Sequence, residues 1–131
     1  MMRFYVLGGV DMKIKKIYTK HFPMKGFTAL TLWPFVFIRK DRRDNFTQTA
    51  ERHETTHALQ QIECLWIFFL IIYGLEYIIK LPFCKFDTYR AYMSVSFEQE
   101  AYAWQSDNYY NKVRPHYEWR YYIFSLTPKK L

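Results

Sequence analysis

Residues 45–66 read NFTQTAERHETTHALQQIECLW, and this stretch decides the fold. Asn45, followed three residues later by Gln48, resembles a capping box, and Thr47 is a second N-cap candidate, so a helix is expected to start here. Its apolar stripe continues through Ala50, Ala58, Ile62 and Leu65. The helix carries His53, Glu54, Thr55, Thr56 and His57. Side chains at i and i+4 lie one above the other on one helix face. Two imidazoles so placed can hold a single metal ion between them. The plain alternative is that His53, Glu54 and His57 are only a polar helix face.

Two histidines at this spacing with a glutamate after the first are the pattern of a helical zinc site, in which Glu54 would take a proton from a water that the metal activates. The expectation is a hydrolase holding one Zn2+ ion through His53 and His57, with Glu54 as the catalytic base. A catalytic zinc keeps three protein ligands and one open position. Position 60 is Gln and position 63 is Glu, which disfavours a third histidine on the same element. A later predicted helix, SFEQEAYAWQ at 96–105, offers Glu98 or Glu100 as the third ligand. Two residues apart on a helix is a rotation of about 200°, so only one of them can face the metal.

HETTH followed some forty residues later by a helix with Glu-x-x-Ala resembles the gluzincin metallopeptidases. The resemblance implies a two-histidine, one-glutamate zinc site, peptide-bond hydrolysis and a peptide or protein substrate. Glu98 with Ala101 fits the Glu-x-x-Ala spacing. Many gluzincins carry an aspartate four residues after the ligand glutamate, where it orients a zinc histidine. That position is Tyr102 here, or Trp104 if Glu100 is the ligand, and Asp107, Gln60 and Gln61 are candidates to take over the role. Gluzincins also pair an edge strand with the substrate, a role that would fall to Phe35–Arg39. The wider stretch, RHETTHALQQ and YRAYMSVSFEQEAYA with a basic aromatic tail, also resembles a family of small uncharacterised bacterial proteins. That likeness covers most of the chain from Phe27 onward and implies no substrate. Charge developing on an attacked carbonyl needs a second donor beside the metal. Tyr102 and His116 are the candidates carried forward, with Tyr109 and Tyr110 behind them. His21, isolated beside Phe22, reads as a surface or core-edge histidine.

Before the metal helix, Lys13 to Tyr18 alternates as a half-exposed strand does, and Pro23 and Gly26 mark a turn. Two short strands are expected at about 27–32 and 35–39, split by Pro34. Gly74 is a plausible helix break and Pro82 a firm one. A third helical stretch is expected from Ser94 or Ser96 to about Lys112, ended by Pro115, with the state of the tail, 116–131, left open. The fold class is therefore α+β: a small antiparallel N-terminal sheet packed on a zinc-binding helix and a second ligand-bearing helix.

The chain of 131 residues reads as one domain, 1–131. Met12 is an alternative start, making 1–12 a non-native or disordered extension, and the apolar stretch before Val10 is too short for a cleaved signal peptide. Cys64 and Cys84 form no CxxC pair, and Cys64 reads as a small buried residue. Aromatic residues make up 21% of the chain, a share that calls for a crowded core, a binding face or a membrane-facing surface. The formal charge is +7, clustered at Lys13–Lys25, Arg39–Arg43 and Lys129–Lys130. No base-reading motif accompanies it, so nucleic acid is a poor partner. The awkward segment is 62–81, IECLWIFFLIIYGLEYIIKL, in which Cys64 to Leu75 carries no charge. It is shorter than the roughly 20 apolar residues of a spanning helix. It reads as a buried core segment or as one lying on a membrane surface, aided by the basic clusters. Localisation is then cytoplasmic or membrane-associated. The alternative function is a catalytically inactive scaffold, metal-stabilised or not, that binds a membrane or partner.

Overall fold

The computed structural model describes residues 14–127 and is α+β. The alternative start at Met12, the 1–12 extension and the Lys129–Lys130 cluster lie outside the described residues. Three strands, β1 (Lys15–Thr19), β2 (Ala29–Leu32) and β3 (Phe35–Arg39), form one sheet in the order β1-β3-β2. β2 and β3 pair antiparallel across the short turn at Trp33–Pro34, with Leu30 opposite Phe37. β1 pairs parallel with β3, Ile17 opposite Phe37, so the sheet is mixed and not purely antiparallel. The segment between β1 and β2 carries the chain to the far side of the sheet, and β3 then inserts between them. That makes Phe35–Arg39 the central strand, bonded on both sides. It has no free edge for a substrate, and the expectation that it would accept one is overturned.

A 3-10 turn (Lys40–Asn45) leads into α1 (Gln48–Glu63). Thr47, not Asn45, is the N-cap; its hydroxyl accepts from the Ala50 N–H at 3.2 Å, a contribution of about 1 kcal/mol. The helix stops at Cys64 because Leu65 and Trp66 adopt positive φ, 51° and 67°. α2 (Ile67–Phe83) then runs unbroken through Gly74, and Pro82 sits in its last turn. The predicted break at Gly74 is thus displaced to Leu65–Trp66, where the chain bends by 112° between α1 and α2. The third helical stretch starts earlier than predicted and is divided: α3 (Thr88–Ser94), capped by Asp87, and α4 (Ser96–Trp104) meet at the extended residue Val95. A short α5 (Tyr110–Val113) and a 3-10 turn (Glu118–Tyr122) follow.

The core is aromatic. Phe97 of α4 packs on Phe69 of α2 at 4.4 Å between ring centroids and on Trp119 at 4.7 Å, with Cys64 and Val95 completing the cluster. Beside it, Arg114 is buried and holds two carboxylates, Glu63 of α1 (2.8 Å) and Glu100 of α4 (2.9 Å). Severing one partner of such a buried ion cluster costs roughly 3–5 kcal/mol. This cluster ties α1 to α4 and so fixes what α4 presents to the histidine helix. No single helix among the described residues is long and apolar enough to cross a membrane.

Candidate metal centre

α1 turns His53 and His57 toward α4, where Glu98 meets them. Their Nε2 atoms lie 3.2 Å apart, and Glu98 Oε1 lies 3.1 Å from the first and 3.2 Å from the second. All three residues are buried. The donor atoms thus form a nearly equilateral triangle. Ligands about 2.0–2.1 Å from a tetrahedral zinc stand roughly 3.3–3.4 Å from one another. The triangle matches one face of that tetrahedron.

The ring tautomers point the same way. Gln60 donates through its amide nitrogen to Glu100 Oε1 (2.9 Å) and to the Phe97 carbonyl (3.1 Å), both acceptors. Its amide oxygen must therefore face His57, where it accepts the Nδ1–H at 2.8 Å. Gln105, one residue past α4, accepts the Nδ1–H of His53 at 2.9 Å. With Nδ1 protonated on both neutral rings, two imidazole lone pairs and a carboxylate oxygen converge on one point. That arrangement is repulsive unless a cation or a proton sits among them. Burial alone would depress His57, but Glu98's charge and hydrogen bond, and then Glu54's charge, lift its pKa to about 9. Burial would likewise raise Glu98, yet His57 and His53 hold it well below the usual carboxylate range.

Glu98 and Glu100 separate cleanly. Glu98 faces the rings; Glu100 points the other way, to Arg114, Gln60 and the Tyr110 hydroxyl (2.6 Å). Glu98's second oxygen accepts from the Tyr73 hydroxyl of α2 at 2.7 Å. Burial, reinforced by Glu98, keeps that phenol protonated and hence a donor. Glu54 is half-buried, and its Oε1 accepts from the Thr31 hydroxyl of β2 at 2.7 Å. The Tyr102 ring lies 4.3 Å from that of His53, and its hydroxyl is 3.1 Å from the Tyr92 hydroxyl. Burial pushes Tyr102 up to about 12, against the pull of the Tyr92 bond, and raises Tyr92 as well.

Three of the four candidate donors are elsewhere. His116 is exposed and bonds Glu63 at the far end of α1 (3.3 Å), ten residues and about 15 Å along the helix from His53. Tyr110 is spent on Glu100 and stacks on Trp104, and Tyr109 is exposed. Of the candidates for the absent aspartate, Gln60 orients His57. Gln61 instead clamps β2, bonding the Thr31 carbonyl (2.7 Å) and the Trp33 N–H (2.6 Å), and Asp107 bonds the Tyr109 N–H.

Sequence reasoning missed Gln105, Tyr73 and Tyr92. Gln105 had a signal, since Glu98, Tyr102 and Gln105 are spaced i, i+4, i+7 along one helix face. Tyr73 and Tyr92 had none, because each reaches the site only through tertiary packing. No protein-family model matches the chain, and no curated protein and no solved structure matches it.

Proposed function

We propose that this chain is a zinc-dependent hydrolase of peptide bonds, with His53, His57 and Glu98 holding one ion and Glu54 serving as the general base. The single observation that carries the reading is the buried triangle of Nε2, Nε2 and Oε1 with a half-buried carboxylate beside it. Structural zinc sites close with four protein ligands, whereas catalytic ones use three and leave one position open. Among the described residues the cluster has three. When bound, the ion supplies positive charge that lowers the pKa of water and polarises a carbonyl.

The chain's own residues divide the remaining work. Gln105 and Gln60 keep the Nε2 lone pairs directed at the ion. Tyr73 holds Glu98 from behind, so one carboxylate oxygen stays turned to the rings. Glu54 accepts the proton from the attacking water and passes it to the leaving amine. The Thr31 hydroxyl fixes which way that carboxylate points. Tyr92 and Tyr102 have two hydroxyl protons and need one between them. The second is available to the oxygen on which charge develops. β2 is the sheet edge beside Glu54, and antiparallel alternation turns the Ala29 N–H and C=O away from β3, toward an extended substrate.

The test is zinc content and hydrolysis of an unstructured protein such as casein, measured on the parent chain, His53→Ala and Glu54→Gln. The reading expects one zinc per chain and hydrolysis in the parent, loss of zinc in the first variant, and zinc without hydrolysis in the second. A parent that binds zinc and cleaves nothing would make the chain a metal-stabilised scaffold instead.

A further inference from the structure

α2 is built inside out. Its two charged residues, Glu76 and Lys80, are both buried, while Ile78 and Ile79 between them are exposed by 65% and 59%. The inner face, Phe69, Tyr73, Glu76 and Lys80, follows 4-3-4 spacing along one stripe. Lys80 bonds Glu76 (3.0 Å) and the Ser94 carbonyl (2.6 Å), and Glu76 accepts the Ser96 N–H (2.8 Å). The opposite stripe is Phe68, Ile71, Leu75 and Ile78, with Ile79 alongside, all exposed. A helix whose outer face meets water places its charges outward and its aliphatic side chains inward. Here the ionic pair is desolvated, and every exposed side chain from Leu65 through Phe83 is apolar.

Exposed apolar residues continue past both ends of the helix. Leu65 (φ 51°) and Phe86 (φ 62°) hold left-handed backbone that costs a bulky residue of order 1–3 kcal/mol, yet their side chains are largely exposed. Phe124, next to the 3-10 turn that caps Lys80 through the Tyr122 carbonyl, is almost wholly exposed.

We propose that this face docks on an anionic lipid surface, with α2 lying in the plane of the membrane interface. Two observations select lipid over a protein partner. Protein interfaces carry about one hydrogen bond per 100–200 Å², whereas the outer stripe offers hydrocarbon alone. The charge is also complementary to anionic headgroups: the chain is +7, Lys85 stands exposed between Phe83 and Phe86, and Arg120 lies near Phe124. Of the two nearby acids, Asp87 is engaged in capping α3 through the Arg90 N–H, and Glu118 shares the 3-10 turn of Arg120. A helix in this position binds through buried apolar area plus attraction to anionic lipid. The proposal rests on nothing in the metal centre.

The experiment is vesicle flotation of the full chain with phosphatidylcholine alone and with phosphatidylcholine–phosphatidylglycerol. The expected result is flotation with the anionic vesicles, weakened by salt. Ile71→Glu together with Ile78→Glu should lower the bound fraction about tenfold or more. Lys85→Glu should weaken only the anionic-lipid binding, several-fold. Circular dichroism and the melting temperature, both nearly unchanged in these surface variants, separate lost docking from lost folding. A parent chain that stays at the bottom of the gradient with both vesicle types overturns the proposal. So does a stable dimer in sedimentation that Ile71→Glu dissociates, since a second copy would then cover the face, and so does binding that the paired glutamates leave intact.

Discussion

The Gln60 amide oxygen accepts the Nδ1–H of His57 at 2.8 Å, and Gln60's own nitrogen is committed to Glu100 and to the Phe97 carbonyl. One buried amide thus fixes the tautomer of a ring in the His53–His57–Glu98 triangle and links the ring to the ion cluster around Arg114. Gln105 does the first job for His53 without the second. The two glutamines therefore separate orientation of the rings from stability of the fold.

Gln105→Ala should lower zinc affinity by roughly tenfold or more, the usual effect of losing a partner that orients a ligand. Its melting temperature without metal should be nearly unchanged. Gln60→Ala should lower affinity similarly and also destabilise the metal-free protein, by about 1–3 kcal/mol, because Glu100 loses a buried donor. Competition against a chromophoric chelator, with chemical denaturation in parallel, reads both quantities.

Glu98→Gln and Glu100→Gln should fail in opposite ways. The first removes the carboxylate from the triangle and should abolish stoichiometric zinc while the chain still folds. The second strips charge from the partner of buried Arg114 and should cost on the order of 3–5 kcal/mol of stability. Whatever fraction of it remains folded should still bind zinc. Metal analysis and urea unfolding of the two proteins distinguish these outcomes.

Metal-free protein should lose stability as pH rises from 6.5 through about 9. His57 has its pKa lifted from 6.5 to about 9. Its protonation therefore supports the folded state fully below the unfolded value, and the support vanishes once the folded ring titrates. The loss is at most about 3 kcal/mol. Glu98 is the other half of this interaction; held low, it contributes above its ordinary 4.5, and that contribution is lost as pH falls toward its depressed folded value. Zinc displaces the proton, so its affinity should rise across the same alkaline interval. Melting curves with chelator present, at pH 6, 7.5 and 9, test the first statement, and zinc titrations at those pH values the second.

Tyr102→Phe should leave zinc content intact and lower kcat by about a hundredfold if its hydroxyl serves the developing oxyanion. Thr31→Val should also keep the metal, while lowering kcat by roughly tenfold through a misdirected Glu54. Steady-state kinetics on a peptide that the parent cleaves gives both numbers.

Local features were legible in the sequence. The pairing of His53 with His57 follows from helix periodicity, and the start of α1 needed only capping chemistry, though the cap fell to Thr47 and not Asn45. The choice between Glu98 and Glu100 was not legible, since it depends on Arg114, fourteen residues beyond Glu100, drawing that acid to the opposite side. Gly74 misled because its cost in a helix, about 1 kcal/mol, is small beside the packing of Phe69 and Tyr73 on Phe97. The parallel pairing of β1 was hidden for a similar reason: strand patterns mark faces, and partner order belongs to the whole sheet.

Tyr73 reaches Glu98 from the same helix whose outer stripe carries Ile71 and Leu75. Ion and bilayer would then stand on opposite sides of a single cylinder about 10 Å across. Reciprocity follows from thermodynamics alone: if seating on lipid shifts α2 enough to alter the grip on zinc, loading with zinc must alter the affinity for lipid by the same factor.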